Sequence, residues 1–545
     1  MQKPSSKSRR APTQGALGVR DRRAALALIL GVGLLLGLGL GTRDLWAPDE
    51  PRYGAIAEEL RSFRQGPSGL LLLHLNGRPY TQKPPLYFWL AALAGLPSDR
   101  VDELAARLPS ALAGIGCVGL TALIGRWLLG HAGAALLAAG LLATSFRFVW
   151  SARRVQLDVL LTFFELVAIT LFLWLELRRG GVEEARAHPG ALVGLHAALG
   201  AGAMVKGPVA WLPLLVFAAY LAWEGRLPAF RKLLPGWSGL LCVGPVLLWI
   251  TSAVALAPAG FAESAVIENL IERFFAGSSH ARPLYYYAYQ LPLDFLPWTV
   301  LLPAALPVVW SWTRSERPGC ERPSAGPDTE GSRLASQTRS AGRFLLVWIG
   351  IPLLFFSLSA GKRGLYLLPI FPALALVGVV AGTGLRREKE HWNDRRAARL
   401  ARAGLGVALV ELALFVLILP QLHGEKSPRP VAVQAASGLG PGEPIGVYAM
   451  RPIEGGIAYY GDHPVHSLET PGNLCDFLAS GGQRVILRTR HLERLAAPMQ
   501  LLEITRLRGG RRSLSIAGPA PTESTPAPST PQSREACAAD DPARR

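Results

Sequence analysis

The sequence predicts a polytopic α-helical membrane protein with a small α/β domain toward its C-terminal end. Three observations predict it. Half of the 545 residues are hydrophobic and 18% are charged, with a mean hydropathy of +0.26, whereas a soluble domain of this size carries more charge and fewer apolar runs. Several stretches approach the ~20 apolar residues that cross a bilayer as a helix. Basic clusters flank alternate connections, while the connections between them hold acids and isolated cations. A net charge of +18 would by itself suit nucleic acid, but its placement beside apolar runs follows the positive-inside rule, so no nucleic-acid partner is expected.

Hydropathy and length place eleven spans near 24–42, 108–128, 132–150, 159–177, 190–204, 208–224, 236–256, 291–312, 343–359, 365–383 and 401–421. Residues 1–23 form a basic tail, including Lys3, Lys7, Arg9, Arg10, Arg20, Arg22 and Arg23. The apolar run after it is too long for a signal-peptide core and no small-residue cleavage site follows, which predicts an uncleaved first span and a cytoplasmic N-terminus. The connections 178–189, 225–235, 313–342 and 384–400 then face the cytoplasm. Each is basic: Arg178-Arg179, Arg226 with Arg231 and Lys232, Arg314 with Arg317 and Arg322, Arg386-Arg387 with Arg395-Arg396. Residues 43–107, 151–158, 206–208, 257–290, 360–364 and everything after about 422 fall on the outer side, giving a multi-pass membrane protein with its C-terminus outside.

Within the first outer segment, Tyr53, Ile56, Leu60 and Phe63 follow helical spacing with charges on the other faces, the pattern of a helix lying in the membrane interface. Pro84-Pro85 opens a second short apolar segment through Leu96. Residues 313–342, rich in Ser, Pro, Gly and Arg, read as a disordered loop. Between 422 and 517, Pro444 to Tyr448 and Arg484 to Leu487 read as short strands bounded by Gly and Pro, hence a small α/β domain outside the membrane. The tail 518–545 turns to Pro, Thr, Ser and Ala and reads as disordered. Five cysteines give no disulfide framework; Cys475 and Cys537 are the pair an oxidising compartment could join.

The polar motifs concentrate on the outer side. Pro48-Asp49-Glu50-Pro51-Arg52-Tyr53 follows the first span, and Asp49 is expected to cap a helix with Pro51 in its first turn; a carboxylate so held also meets the rigidity that a general base or substrate ligand requires. Lys83-Pro84-Pro85-Leu86-Tyr87-Phe88-Trp89 reads as an interfacial anchor or as a cation that holds a lipid phosphate. Arg153-Arg154 with Asp158, and Lys206 before Gly207-Pro208, put cations on the side that topology disfavours. Arg273 lies in Glu268-Asn269-Leu270-Ile271-Glu272-Arg273-Phe274. Last come Lys362, Arg363 and Tyr366 in Ser357 to Pro369. Two carboxylates and several cations on one face suit transfer of a sugar from a polyprenyl phosphate. The cations stabilise charge developing on the leaving phosphate, and a carboxylate takes the acceptor proton. No GxxxxGK[ST], HExxH or CxxC occurs.

DEPRY, KPPLYFW, RRVQLD, VKGP, ENLIERF and SLSAGKRGLYLLPIFP, in this order, resemble the aminoarabinose transferase-like branch of the GT-C glycosyltransferases, related to the protein O-mannosyltransferases, over roughly residues 24–385. The resemblance implies a GT-C fold of about 11–13 transmembrane helices in the cell inner (plasma) membrane, a periplasmic C-terminus, and an inverting transferase acting on the periplasmic face. It implies a polyprenyl-phosphate sugar donor and an acceptor such as lipid A or another envelope glycan. It places Asp49 and Asp158 as catalytic carboxylates, and Glu50, Arg52, Lys83, Lys206, Arg273, Lys362, Arg363 and Tyr366 around the substrates. The sequence departs from the family at Gln82, where an acid often precedes the motif lysine, and it lacks a histidine between Glu263 and Arg273. These departures predict a relative with a different sugar. No cofactor is implied with certainty, and a divalent metal stays open. Transfer to Ser/Thr of proteins is the alternative enzyme reading. A lipid or sugar transporter is the alternative of another class, although transporters place their charges near the bilayer midplane and these sit at one rim.

Overall fold

The computed structural model describes residues 18–234, 236–258, 260–261, 281–314, 330–385, 392–422, 426–509 and 512–520. Helices α1 (Val19–Gly37), α2 (Asp49–Arg61), a two-stranded hairpin β1 (His74–Leu75) and β2 (Arg78–Pro79), and α3 (Leu86–Ala94) lead into the bundle. The bundle continues with α4 (Glu103–Leu128), α5 (Ala132–Ala143), α6 (Phe146–Ala152), α7 (Leu157–Arg178), α8 (Pro189–Lys206), α9 (Leu212–Trp223), α10 (Leu240–Leu256), α11 (Tyr286–Asp294), α12 (Leu302–Trp312), α13 (Glu330–Leu358), α14 (Phe371–Thr383) and α15 (Asp394–Ala413). Helix α7 lies against α4 and α8, α10 packs on α8, and α14 packs on α5 and α12.

Helical structure occupies all eleven apolar segments. Among the described residues, six helices are long and apolar enough to cross a membrane. Two bent pairs raise this to eight: Ala132–Ala143 with Phe146–Ala152, at 67°, and Tyr286–Asp294 with Trp298–Trp312, at 109°. Thr144-Ser145 breaks the first of these pairs and Pro297 lies in the break of the second. The three windows not among these candidates, 24–42, 190–204 and 208–224, hold α1, α8 and α9. Helix α1 spends its first residues on Arg20, Asp21, Arg22 and Arg23 and ends at Gly37.

Two further expectations are corrected. Part of the loop 313–342 is helical, because α13 begins at Glu330; residues 315–329 lie outside the described residues. Helix α2 is also no one-sided interfacial helix: Tyr53, Ala55, Ile56, Ala57, Glu59 and Leu60 are all buried. Phe63, assigned to its apolar stripe, falls beyond the helix end and is exposed.

The C-terminal region folds as an α/β domain from α16 (Arg429–Ala436), β3 (Ile445–Tyr448), α17 (Arg451–Gly461), β4 (Val465–Leu468), α18 (Pro471–Ala479), β5 (Arg484–Arg488), α19 (Thr489–Leu495), β6 (Leu501–Gly509) and β7 (Arg512–Pro519). The sheet order is β4-β3-β5-β7-β6. Strand β3 runs parallel to β4 and β5, and β7 antiparallel to β5 and β6. Every residue of β3 is buried, as expected of a parallel strand covered on both faces. Val431, Ala432 and Ile457 from α16 and α17 pack on one side, and Leu474, Phe477 and Leu492 from α18 and α19 on the other. Of the cysteines, Cys117 and Cys242 are free and buried and Cys475 is disulfide-bonded; Cys320 and Cys537 lie outside the described residues.

Candidate active site

Of the residues picked from sequence, Asp49, Glu50, Arg52, Asp158 and Lys206 lie where α2 and α7 begin and α8 ends, with Tyr366 beside Lys206. Pro48, not Asp49, is the N-cap of α2, and no side chain caps the helix. Asp49 is the first helical residue, its side chain 29% exposed and paired with Arg52 at 2.5 Å. Pro51 does sit in the first turn.

Its neighbour Glu50 points the opposite way, with its side chain 1% exposed. Arg43 at 3.1 Å, Arg107 at 3.0 Å and Arg154 at 3.4 Å surround the carboxylate. The backbone N–H groups of Trp46 (3.1 Å) and Val155 (3.2 Å) also donate to it. Burial alone would raise its pKa, but Arg107, Arg154 and Arg43 together hold it well below the usual carboxylate range. Arg107 further donates to the carbonyls of Leu40, Arg43 and Asp44. Glu50 therefore ties the approach to α2, the start of α4 and the α6–α7 turn into one node.

Asp158, in the first turn of α7, accepts from Gln156 Nε2 at 2.7 Å and forms an ion pair with Lys206, the last residue of α8. The Lys206 ammonium also stands 4.6 Å from the Tyr366 ring centroid. Burial pushes the Tyr53 phenol up to about 12; the negative charges of Asp49 and Asp158 add to this, and Arg52 opposes it. Both carboxylates thus act on one phenol. Tyr87, from the KPPLYFW segment, donates to the Ala106 carbonyl at 3.0 Å and lies 2.8 Å from Ser110 Oγ. Ser110 Oγ in turn accepts from the Gln156 N–H. This fixes the segment that carries half-buried Lys83 to the entrance of α7.

The loop before the 3-10 turn Gly364–Ile370 holds Lys362 and Arg363, which are used differently. Lys362 is 4% exposed and donates to the carbonyls of Ser359 and Arg282. Its ammonium is spent on the backbone. Arg363 is half-buried, and its side chain has no hydrogen-bond or ion-pair partner among the described residues. Tyr287 donates to the Arg363 carbonyl at 3.1 Å. Asp294, buried and paired with Arg147 at 2.5 Å, presses on Gly364, where a Cβ would stand 2.1 Å from Asp294 Oδ2. Only glycine fits there. Arg273 lies outside the described residues.

Sequence reasoning missed Arg43, Arg107, Arg147 and Asp294. Arg107 and Arg147 carried a usable signal, a charge within or beside an apolar run; the partners that make them matter lie 57 and 147 residues away. Among the described residues no three His, Cys, Asp or Glu side chains come together as a metal-ligand set, and Asp49 and Asp158 are each matched by one cation. No step is routed through a metal.

Known proteins share this fold and part of the sequence. The family model for dolichyl-phosphate-mannose-protein mannosyltransferase matches residues 24–258. An undecaprenyl phosphate-alpha-4-amino-4-deoxy-L-arabinose arabinosyl transferase of Pseudomonas fluorescens is 34% identical over 366 residues, covering 65% of this chain and 59% of that protein. One from Pseudomonas savastanoi pv. phaseolicola is 31% identical over 405 residues, covering 73% of this chain and 67% of that protein. The chain thus spans about three-fifths to two-thirds of the length of these relatives. Among solved structures, ArnT from Cupriavidus metallidurans bound to undecaprenyl phosphate superposes with a TM-score of 0.71 at 18% identity, over 91% of this chain and 99% of that one. The archaeal oligosaccharyltransferase AglB from Archaeoglobus fulgidus shares the fold more distantly, with a TM-score of 0.54 at 12% identity over 88% of this chain and 70% of that one. The chain belongs to the family of undecaprenyl phosphate-aminoarabinose arabinosyl transferases, multi-pass membrane proteins of the GT-C type.

Proposed function

We propose that this protein is an inverting glycosyltransferase that moves a sugar from an undecaprenyl-phosphate-type donor to a cell-envelope acceptor, lipid A being the first to test. The observation that carries the reading is the run of contacts from Asp49–Arg52 through Glu50, Arg154 and Val155 to Asp158–Lys206–Tyr366 and on to Arg363. It sets the carboxylates near Arg363, whose carbonyl accepts from the Tyr366 N–H and whose side chain has no hydrogen-bond or ion-pair partner among the described residues. The acceptor oxygen attacks C1 of the sugar, the bond from C1 to the phosphate oxygen breaks, and polyprenyl phosphate leaves. Asp49, the more exposed carboxylate, takes the proton of a hydroxyl acceptor or positions a phosphate acceptor. Arg363 and Lys83 face the charge developing on the leaving phosphate, with Arg273 assigned to the same task by the family motif. Asp158 holds Lys206 against Tyr366 beside the sugar. Glu50 and Lys362 act by positioning, because protein groups already occupy their charges.

We place this end of the bundle, and the C-terminal domain with it, on the periplasmic side of the inner membrane, with the N-terminus in the cytoplasm. The disulfide at Cys475 supports an oxidising compartment. The aminoarabinose named for the relatives is the first donor sugar to test. Transfer to protein Ser/Thr is the second reading, favoured by the mannosyltransferase family match over residues 24–258. Membranes holding the protein, supplied with undecaprenyl phosphate carrying labelled aminoarabinose, distinguish the readings. Label in lipid A is expected; label in protein supports the second reading, and label remaining on the donor with every acceptor contradicts both.

A further inference from the structure

Helix α17 of the C-terminal domain lies directly on α2, with glycines at the contact. A Cβ at Gly455 would stand 2.6 Å from Arg52 Cα and 2.7 Å from Arg52 Cβ, and one at Gly456 would stand 2.4 Å from Pro428 Cγ. From the other side, a Cβ at Gly54 would stand 3.1 Å from the Tyr459 ring. The two helices therefore meet backbone to backbone at the turn that starts with Asp49 and carries Arg52, its partner at 2.5 Å.

The contact is fastened on both sides of α2. Tyr460 Oη accepts from the Leu45 N–H at 2.7 Å and donates to Glu103 at 3.0 Å. Tyr459 donates to the Val101 carbonyl at 2.6 Å. Arg429 pairs with Asp44 at 3.2 Å, and the side chain of Asn76, at the hairpin turn, pairs with the backbone N–H and carbonyl of Val465. Leu45 precedes α2, while Val101 and Glu103 adjoin the start of α4. The domain is thus bonded to the loop that delivers Asp49, at Asp44 and Leu45, and to the start of α4, at Val101 and Glu103.

We infer that Gly455 is a positioning residue for transfer: by setting how closely α17 seats on α2, it fixes where the Asp49–Arg52 pair stands relative to Asp158–Lys206. This rests on the reading of Asp49 as the base or acceptor-positioning group. The C-terminal domain is then a working part of the transferase, because displacing reacting groups by about 1 Å can cost about 100-fold in rate.

The test uses the full-length protein in membranes or nanodiscs, with undecaprenyl-phosphate aminoarabinose as donor and lipid A as acceptor. Gly455→Ala forces α17 away from Arg52; kcat per folded enzyme is expected to fall about tenfold or more while KM for the donor stays within about twofold. Arg451→Ala, on the exposed part of the same helix, is expected to leave both unchanged. Tyr459→Phe, which adds no volume and removes the bond to Val101, should lower kcat less, and it decides the matter if Gly455→Ala does not fold. Wild-type kcat in the deciding variant, or a loss confined to KM, overturns the inference. Asp49→Asn in the same assay separates the two claims. If it is inactive while Gly455→Ala is fully active, only the positioning role falls; if Asp49→Asn is fully active, the reading of Asp49 falls instead.

Discussion

Asp158 on α7 and Lys206 at the end of α8 form an ion pair that also places the lysine ammonium over the Tyr366 ring. Both side chains are largely buried, 8% and 15% exposed. Breaking such a pair from one side leaves an uncompensated charge and costs about 3–5 kcal/mol. Lys206→Met should therefore destabilise the protein by roughly that amount, and Asp158→Asn with Lys206→Met should recover most of it without recovering transfer. Unfolding of the single and double variants gives the coupling; purely additive losses would show that the pair is not coupled.

Lys362 and Arg363 are adjacent and both cationic, yet the structure separates their uses. Arg363→Ala removes no hydrogen bond or ion pair of the side chain among the described residues, so it should leave the melting temperature nearly unchanged while raising KM for the donor about tenfold, as expected when a charge-assisted phosphate contact is lost. Lys362→Met should lower the melting temperature, because the Ser359 and Arg282 carbonyls lose their donor. Donor titrations and melting curves on both variants check the contrast. It fails if Arg363→Ala melts early or Lys362→Met keeps full stability.

Glu50 gives a prediction in pH. Its folded pKa is depressed by three arginines against the pull of burial, so its stabilisation is full above the unfolded value of about 4.5 and is lost as pH falls through the folded value. Acidification from about pH 6 to about pH 3.5 should lower the melting temperature of the wild type more than that of Glu50→Gln, which begins lower because three cations lose their partner. Parallel pH slopes would contradict the assignment.

How much the sequence revealed depends on how far apart the partners lie. Asp158, Lys206 and Tyr366 were legible because polar groups at the ends of apolar runs are rarely idle, and the structure brings them together. The strands at Ile445–Tyr448 and Arg484–Arg488 were legible because apolar residues bounded by Gly and Pro mark buried strands. The role of Glu50 was not legible: beside Asp49 it looks like a second substrate ligand, and nothing local says that Arg107 will take it. Helix α2 was misjudged because an amphipathic stripe reports one buried face, whereas α17 covers another through glycines that leave no hydrophobic signal. The bends within 132–150 and 291–312 were not legible either, because a hydropathy average passes over Thr144-Ser145 and Pro297.

The side of the membrane can be mapped independently. Cysteines introduced at positions 363 and 451 in a background lacking the native ones should react with an impermeant maleimide added outside intact spheroplasts, while one at position 226 should react only after permeabilisation. Labelling of 363 and 451 only after permeabilisation would put the site on the cytoplasmic face.

The central claim is that Asp49 serves the transfer of a sugar from undecaprenyl phosphate. Its most direct test is single-turnover transfer from labelled undecaprenyl-phosphate aminoarabinose to lipid A by Asp49→Asn, set against the wild type at equal folded protein in the membrane. The account predicts transfer by the wild type and a loss of about 100-fold or more in the variant, the scale of a removed general base. Undiminished transfer by Asp49→Asn would contradict it.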